Sequence, residues 1–154
     1  MRGAELVPVD YFHIPGLILG GTIEPAVYKP VASQIDLAPT LLSLIGVSST
    51  HPMIGHDLTR PEMQQQAGRA IMQYNATQAY MEGDRVAILR KDMPITEFIY
   101  QQQRLVPAHS TDPTLAQKAL AHANWSSMAY DKKLYRSEQV GKEATTSITT
   151  LSSR

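Results

Sequence analysis

Ser33-Gln34-Ile35-Asp36-Leu37-Ala38-Pro39-Thr40-Leu41-Leu42-Ser43-Leu44-Ile45-Gly46-Val47 is the stretch on which the fold turns. Asp36 predicts an N-cap, its carboxylate accepting from the free N–H groups of a first helical turn. In that register Pro39 falls within the first turn, where its missing N–H costs no helical bond. Ala38, Leu41, Leu42 and Ile45 then share one face, the i, i+3, i+4, i+7 stripe of a helix that buries one side. Gly46 stands where a left-handed residue ends a helix, and Val47 can pack back on the last turn. The stretch therefore predicts a helix over 36–45.

Upstream, Phe12-His13-Ile14-Pro15-Gly16-Leu17-Ile18-Leu19-Gly20-Gly21 predicts one short buried strand. A continuous apolar run closed by Gly-Gly fits a strand covered on both faces, with Pro15 near its beginning or on an edge. Tyr28 to Ser33 can hold a second short extended piece. Residues 46–66 are polar and rich in turn formers, a loop with one helical turn after Arg60. From Ala67 the texture becomes β-rich: 69–74, 78–81, 85–91, 95–101 and 104–108 predict an antiparallel meander of three to five strands. Glu82-Gly83-Asp84 and Asp92-Met93-Pro94 divide it. The alternation of Val86 with Ile88, and of Ile95, Glu97 and Ile99, suggests one covered face. Asp112-Pro113 opens a further helix to about Tyr130. In residues 137–154 eight are Ser or Thr without periodicity, which predicts a loose tail.

The fold class expected is mixed α/β, α+β within this length. The organisation expected is an α/β part over 1–66, a meander and helix over 67–136, and the tail. The chain has 154 residues, with 14 Lys+Arg against 14 Asp+Glu and no Cys. Zero net charge excludes a broad nucleic-acid or anionic-membrane surface, since both need clustered positive charge. Without Cys there is no disulfide framework, thiolate metal site or thiol nucleophile. The longest apolar run, Ile14 to Leu19, is far below the roughly 20 residues that span a bilayer. The first residues lack a signal-peptide layout.

Of the five His, His51 and His56 lie with Asp57 in seven residues, and imidazole with carboxylate suits zinc-like ions. No third ligand stands at a fixed spacing, so His51 and His56 are expected at a loop or substrate rim rather than on a metal. His13 is expected as a hydrogen-bonded residue at the edge of the core, and His109 and His122 facing solvent. No Gly-x-Ser-x-Gly elbow, dinucleotide fingerprint or P-loop occurs. The residues alone complete no catalytic constellation.

The order of motifs nevertheless resembles a known family. The run from Phe12 to Leu19 looks like the Ile-Pro strand of sulfatase-type enzymes in the alkaline phosphatase superfamily. Ser33 to Val47 resembles that family's Ser-x-Ile-Asp-Leu-x-Pro-Thr-Leu-Leu-x-Leu-x-Gly signature, and Ile54-Gly55-His56-Asp57-Leu58 the short Gly-x-x-Leu motif after it. The flavour is that of the membrane-anchored branch, lipoteichoic acid synthase and the phosphoglycerol transferases of periplasmic glucan modification. Met72-Gln73-Tyr74-Asn75 followed by Tyr80 to Asp84 is similar to that branch.

The resemblance implies an α/β sandwich with a small C-terminal antiparallel sheet capped by a helix. It implies a divalent metal (Mn, Mg, Ca or Zn) in a parent enzyme acting on sulfate esters or on phospholipid and glycan substrates. That enzyme would face the periplasm or the outer side of the inner membrane. The family's nucleophile and metal ligands lie upstream of the segment that this chain matches. No Asp-His pair occurs here, and the reversed His56-Asp57 does not match, so no catalytic or metal residue is carried over. Expected partners are an upstream catalytic segment and the parent's substrate, or a second copy through exposed apolar surface, with no nucleic acid and no membrane contact. A stand-alone binding module is the alternative; such a module would cover the 14–19 run, whereas a segment of an enzyme would leave it bare.

Overall fold

The computed structural model describes residues 6–20, 23–48 and 50–136. The tail expected over 137–154 lies outside the described residues. The centre of the molecule is a five-stranded antiparallel meander, its strands in sequence order: β1 (Arg69–Tyr74), β2 (Thr77–Glu82), β3 (Arg85–Arg90), β4 (Thr96–Gln101) and β5 (Arg104–Pro107). The strand boundaries lie within a residue or so of those predicted, because turn residues and β-branched runs punctuate the segment clearly. Glu82 pairs with Arg85 across a two-residue loop, whose first residue, Gly83, has φ +60. That is the arrangement in which glycine relieves a steric penalty. The β4–β5 loop is less well served: Gln102 and Gln103 both take positive φ, 50 and 59.

The sheet is covered on two faces, not one. Met72, Ala79, Met81, Val86, Ile88, Phe98 and Leu105 form a core with Val7, against which Val9 and Phe12 pack. Val9–Phe12 is a short 3-10 turn, and the Tyr100 hydroxyl donates to the Asp10 carboxylate across to it. On the other face Tyr80 and Ala87 pack with Leu115 and Ala119 of the long helix Pro113–Asp131. Val86 and Ala87 are consecutive and both fully buried, so simple alternation understated the cover. Glu97 fixes the helix on this face: its carboxylate accepts from the Asp112 N–H at 2.9 Å and pairs with Arg85 at 2.9 Å. Asp112 in turn caps the helix by accepting from Thr114 N–H at 2.9 Å, as Asp-Pro predicts.

The first helix in the chain, α1, spans Leu37–Leu44; Pro61–Gln64 is α2, the single turn expected after Arg60, and Pro113–Asp131 is α3. The end of α1 is the expected one. Gly46 has φ +74, its N–H donates to Ser43 O at 3.0 Å and the Val47 N–H to Leu42 O at 2.9 Å, which is a Schellman closure. The beginning differs. Gln34–Asp36 is a 3-10 turn with Ser33 as its cap, and the Asp36 carboxylate accepts backward from the Ser33 N–H at 2.9 Å rather than from the first turn of α1.

Three further expectations are corrected. Residues 13–20 form no strand, and Ile14, Leu17 and Leu19 are 70%, 81% and 83% exposed. The apolar stripe expected on α1 is likewise largely bare: Ala38, Leu41 and Ile45 are exposed and Leu42 is half-buried, while Pro39 and Thr40 are buried. Both segments carry the apolar surface of buried elements, but nothing among the described residues covers it. The second extended piece expected at 28–33 contracts to a single parallel bridge between Val31 and Gly68.

Candidate functional site

The helix signature, the Gly-x-x-Leu loop and the first strand meet at one buried carboxylate. Asp36 is 1% exposed. Its Oδ1 accepts from the His56 N–H at 2.7 Å and from Arg69 Nη1 at 3.0 Å; its Oδ2 accepts from the Ser33 N–H and from the same Nη1 at 3.2 Å. Arg69 also donates from Nη2 to Ile54 O at 2.9 Å. A buried charge persists only when paired and hydrogen-bonded on its remaining sites, and here both members are.

Thr40, one turn beyond Asp36, completes the clamp. Its hydroxyl donates to Asp36 O at 2.6 Å and accepts from the Leu58 N–H at 3.0 Å. Gly55 is required because the loop lies directly on the 3-10 turn: a Cβ there would sit 2.0 Å from Ile35 O. The signature residues Asp36, Thr40 and Gly55 thus dock a loop onto a helix and a strand. None of them needs a chemical role to account for its place.

Beside this clamp opens a cleft of about 480 Å³, lined by Tyr28, Asp36, His56, Arg69, Tyr80, Glu82, Lys118 and His122 among others. Its wall on the helix side is set by α3, where Lys118 pairs with Glu82 at 2.7 Å and the His122 ring stacks on Tyr80 with centroids 5.1 Å apart. Tyr28 closes another side, its hydroxyl donating to Met63 O at 3.1 Å. Burial lowers the pKa of His56, with Arg69 adding to the effect. Burial likewise lowers His122, helped by Arg69 and then by His56. Burial, then the Glu82 carboxylate, pushes the Tyr80 phenol up to about 12. At neutral pH the cleft therefore holds two neutral imidazoles, neutral phenols and two internally matched ion pairs.

The candidate His residues separate. His56 lines this cleft, whereas His51 does not; among the described residues the buried His51 Nδ1 has no hydrogen-bond partner. His122, expected in solvent, lies in the cleft against Tyr80 because α3 turns its Leu115–Ala119 face to the sheet. His13, expected at the core edge, is exposed, and His109 is exposed as expected. Sequence reasoning missed His122, although its spacing from buried Leu115 and Ala119 (i, i+4, i+7) carried the signal.

The residues do not fit the divalent metal that the resemblance implies. Among the described residues no group of three or more His, Cys, Asp or Glu side chains gathers to hold an ion. Asp57 is turned to its own loop: Oδ1 accepts from the Thr59 hydroxyl at 2.6 Å and from the Thr59 N–H at 3.0 Å, and Oδ2 faces Arg60. Burial pushes the Asp57 carboxyl up, but the Thr59 bonds, with Ser43 and Arg60, outweigh it and hold it below the usual range.

A scan against protein-family models finds none that matches. Among solved structures, the chain is similar to a protein in the alkaline phosphatase superfamily from Vibrio parahaemolyticus, at 40% identity and a TM-score of 0.80. The similarity covers 88% of this chain and 33% of that protein, so the chain spans about a third of its length. The likeness supports the alkaline phosphatase superfamily, and the fold of this chain matches a segment of one of its proteins.

Proposed function

We propose that the chain serves as the closing segment of a sulfatase-type enzyme, completing its fold and walling one side of its substrate cleft. The observation that carries this is the bare apolar surface of the 14–19 run and of α1, in a chain similar to one third of a superfamily protein. Apolar elements left open on one side are those that a further layer of the same fold would bury. Hydrolysis of sulfate esters or transfer of phosphoglycerol needs a positioned nucleophile and a metal or cationic clamp on the non-bridging oxygens. In this reading an upstream segment supplies both, with its divalent metal, on the periplasmic or outer side of the inner membrane. The catalytic groups lie outside this chain, and His56 belongs to the substrate rim.

The test is to express the chain with and without upstream coding sequence and assay p-nitrophenyl sulfate and bis(p-nitrophenyl) phosphate with Mn²⁺ or Mg²⁺. Turnover is expected from the longer polypeptide only. Inactivity of both on every ester would count for the alternative, a stand-alone binding module.

A further inference from the structure

The bare surface of this chain is of two kinds. On the 14–19 run and α1 it is aliphatic, carried by Ile14, Leu17, Leu19, Leu41 and Ile45, side chains that gain where water is excluded altogether. The far end of α3 differs. Leu115 and Ala119 are the buried residues of that helix, and none from 120 to 136 is buried. Tyr130 is 73% and Tyr135 52% exposed, and Met128 is exposed one turn from the half-buried Trp125. The helix closes as α1 does: the Leu134 N–H donates to Ala129 O at 2.9 Å and the Lys133 N–H to Tyr130 O at 3.1 Å. That closure turns the chain back and stacks the Tyr135 ring on Tyr130, centroids 6.3 Å apart. The Arg136 guanidinium lies 5.8 Å from the centre of the Tyr135 ring.

Aromatic rings with polar tips, beside cations on long apolar stems, suit a boundary that is wet on one side and apolar on the other. Charge selects the boundary. Lys132, Lys133 and Arg136 are exposed, and Asp131 is the one acid of residues 125–136, so this end is positive although the whole chain is neutral. A bilayer with anionic headgroups meets both halves of the patch, and each Lys or Arg at its surface adds about fivefold to the affinity. Among the described residues no helix is long and apolar enough to cross a membrane, which leaves contact with its surface.

We propose that the end of α3, with Trp125, Tyr130, Tyr135 and the three cations beside them, rests on the headgroup layer of an anionic lipid bilayer. Zero net charge over the whole chain argues against a broad membrane surface; this one is small and local. The contact needs neither an upstream segment nor turnover.

Trp125 is the one tryptophan of the chain and reports on this end directly. The test is co-flotation of the 154-residue chain with vesicles of phosphatidylserine and phosphatidylcholine in equal parts, and with phosphatidylcholine alone, while Trp125 emission is recorded. Flotation with the anionic vesicles only is expected, with a blue shift of the emission and release at about 1 M NaCl, where charges are screened beyond about 3 Å. Lys132→Gln/Lys133→Gln should weaken binding by about 25-fold, and Tyr130→Ser/Tyr135→Ser by about tenfold, each with an unchanged circular dichroism spectrum. Absence of flotation, or equal flotation with phosphatidylcholine alone, would overturn the proposal. So would flotation without a Trp125 shift or undiminished in the Lys variant, since another surface, such as the 14–19 run, would then be meeting the lipid. The same Trp125 shift with inorganic phosphate alone would assign the patch to a soluble anion instead.

Discussion

Replacing Asp36 by alanine should remove the point at which the helix signature, the Gly55 loop and β1 are joined. The side chain of Arg69 is 8% exposed, and once Asp36 is lost it keeps only Ile54 O among the contacts described above. Breaking a buried pair from one side costs about 3–5 kcal/mol, because the remaining charge is stranded. The Ser33 N–H, in a buried residue, also loses its acceptor, worth about 1–3 kcal/mol. The sum, roughly 4–8 kcal/mol, approaches the total stability of a domain, about 5–15 kcal/mol. Urea denaturation followed by circular dichroism should therefore show Asp36→Ala with a much lower midpoint or already unfolded. Arg69→Met keeps the two N–H donors on Asp36 and remains the measurable single variant. Asp36→Leu/Arg69→Met should recover at least about 2 kcal/mol relative to additivity, since no charge is left stranded. An Asp36→Ala variant within about 1 kcal/mol of the wild type, or strict additivity in the cycle, would refute the assignment of this pair as the joint.

Gly55→Ala should cost about 1–3 kcal/mol in the same assay through its contact with Ile35 O; an unchanged midpoint would show that the loop can lift. Replacing Gln102-Gln103 by Asn-Gly should stabilise by roughly 1–2 kcal/mol, because both positions have positive φ; destabilisation would contradict the turn assignment. The two cleft imidazoles have folded pKa values below their unfolded ones. They contribute stability that is fully present above the unfolded value near 6.5 and is lost as pH falls through the folded values. Stability of the wild type should accordingly fall more steeply below pH 6.5 than that of His56→Gln/His122→Gln, and parallel profiles would contradict the downward shifts of the two imidazoles. Spectrophotometric titration should find two tyrosines ionising near 12, Tyr80 through burial and Tyr100 through its bond to Asp10. In Tyr100→Phe one of the two should be gone; retention of both would rule out Tyr100 as the source.

Local rules carried much of the architecture. The meander was legible because residues that accept positive φ, such as Gly83 and Asp92, separate β2 from β3 and β3 from β4. The last helix was legible because Asp112-Pro113 encodes both its cap and its first turn. What could not be read was long-range. Asp36 and Arg69 are 33 residues apart, and nothing near either one announces the other, so Asp36 passed for a local cap. Glu97 looked like the polar residue of an alternating strand and proved to be the anchor of a helix. The 14–19 run and the stripe of α1 show a different limit. Hydrophobicity reports that a surface is suited to burial, not which element buries it. Of the site, His56 was legible as a loop residue beside the signature, while His122 and the Lys118–Glu82 pair depend on how α3 lies on the sheet.

The most direct test of the central claim is the rate of p-nitrophenyl sulfate and bis(p-nitrophenyl) phosphate hydrolysis by the purified 154-residue chain, set beside that of the polypeptide extended upstream, with Mn²⁺ or Mg²⁺ present. Turnover is expected from the extended polypeptide, and none above background from the chain alone. Metal-dependent turnover by the chain alone would contradict it.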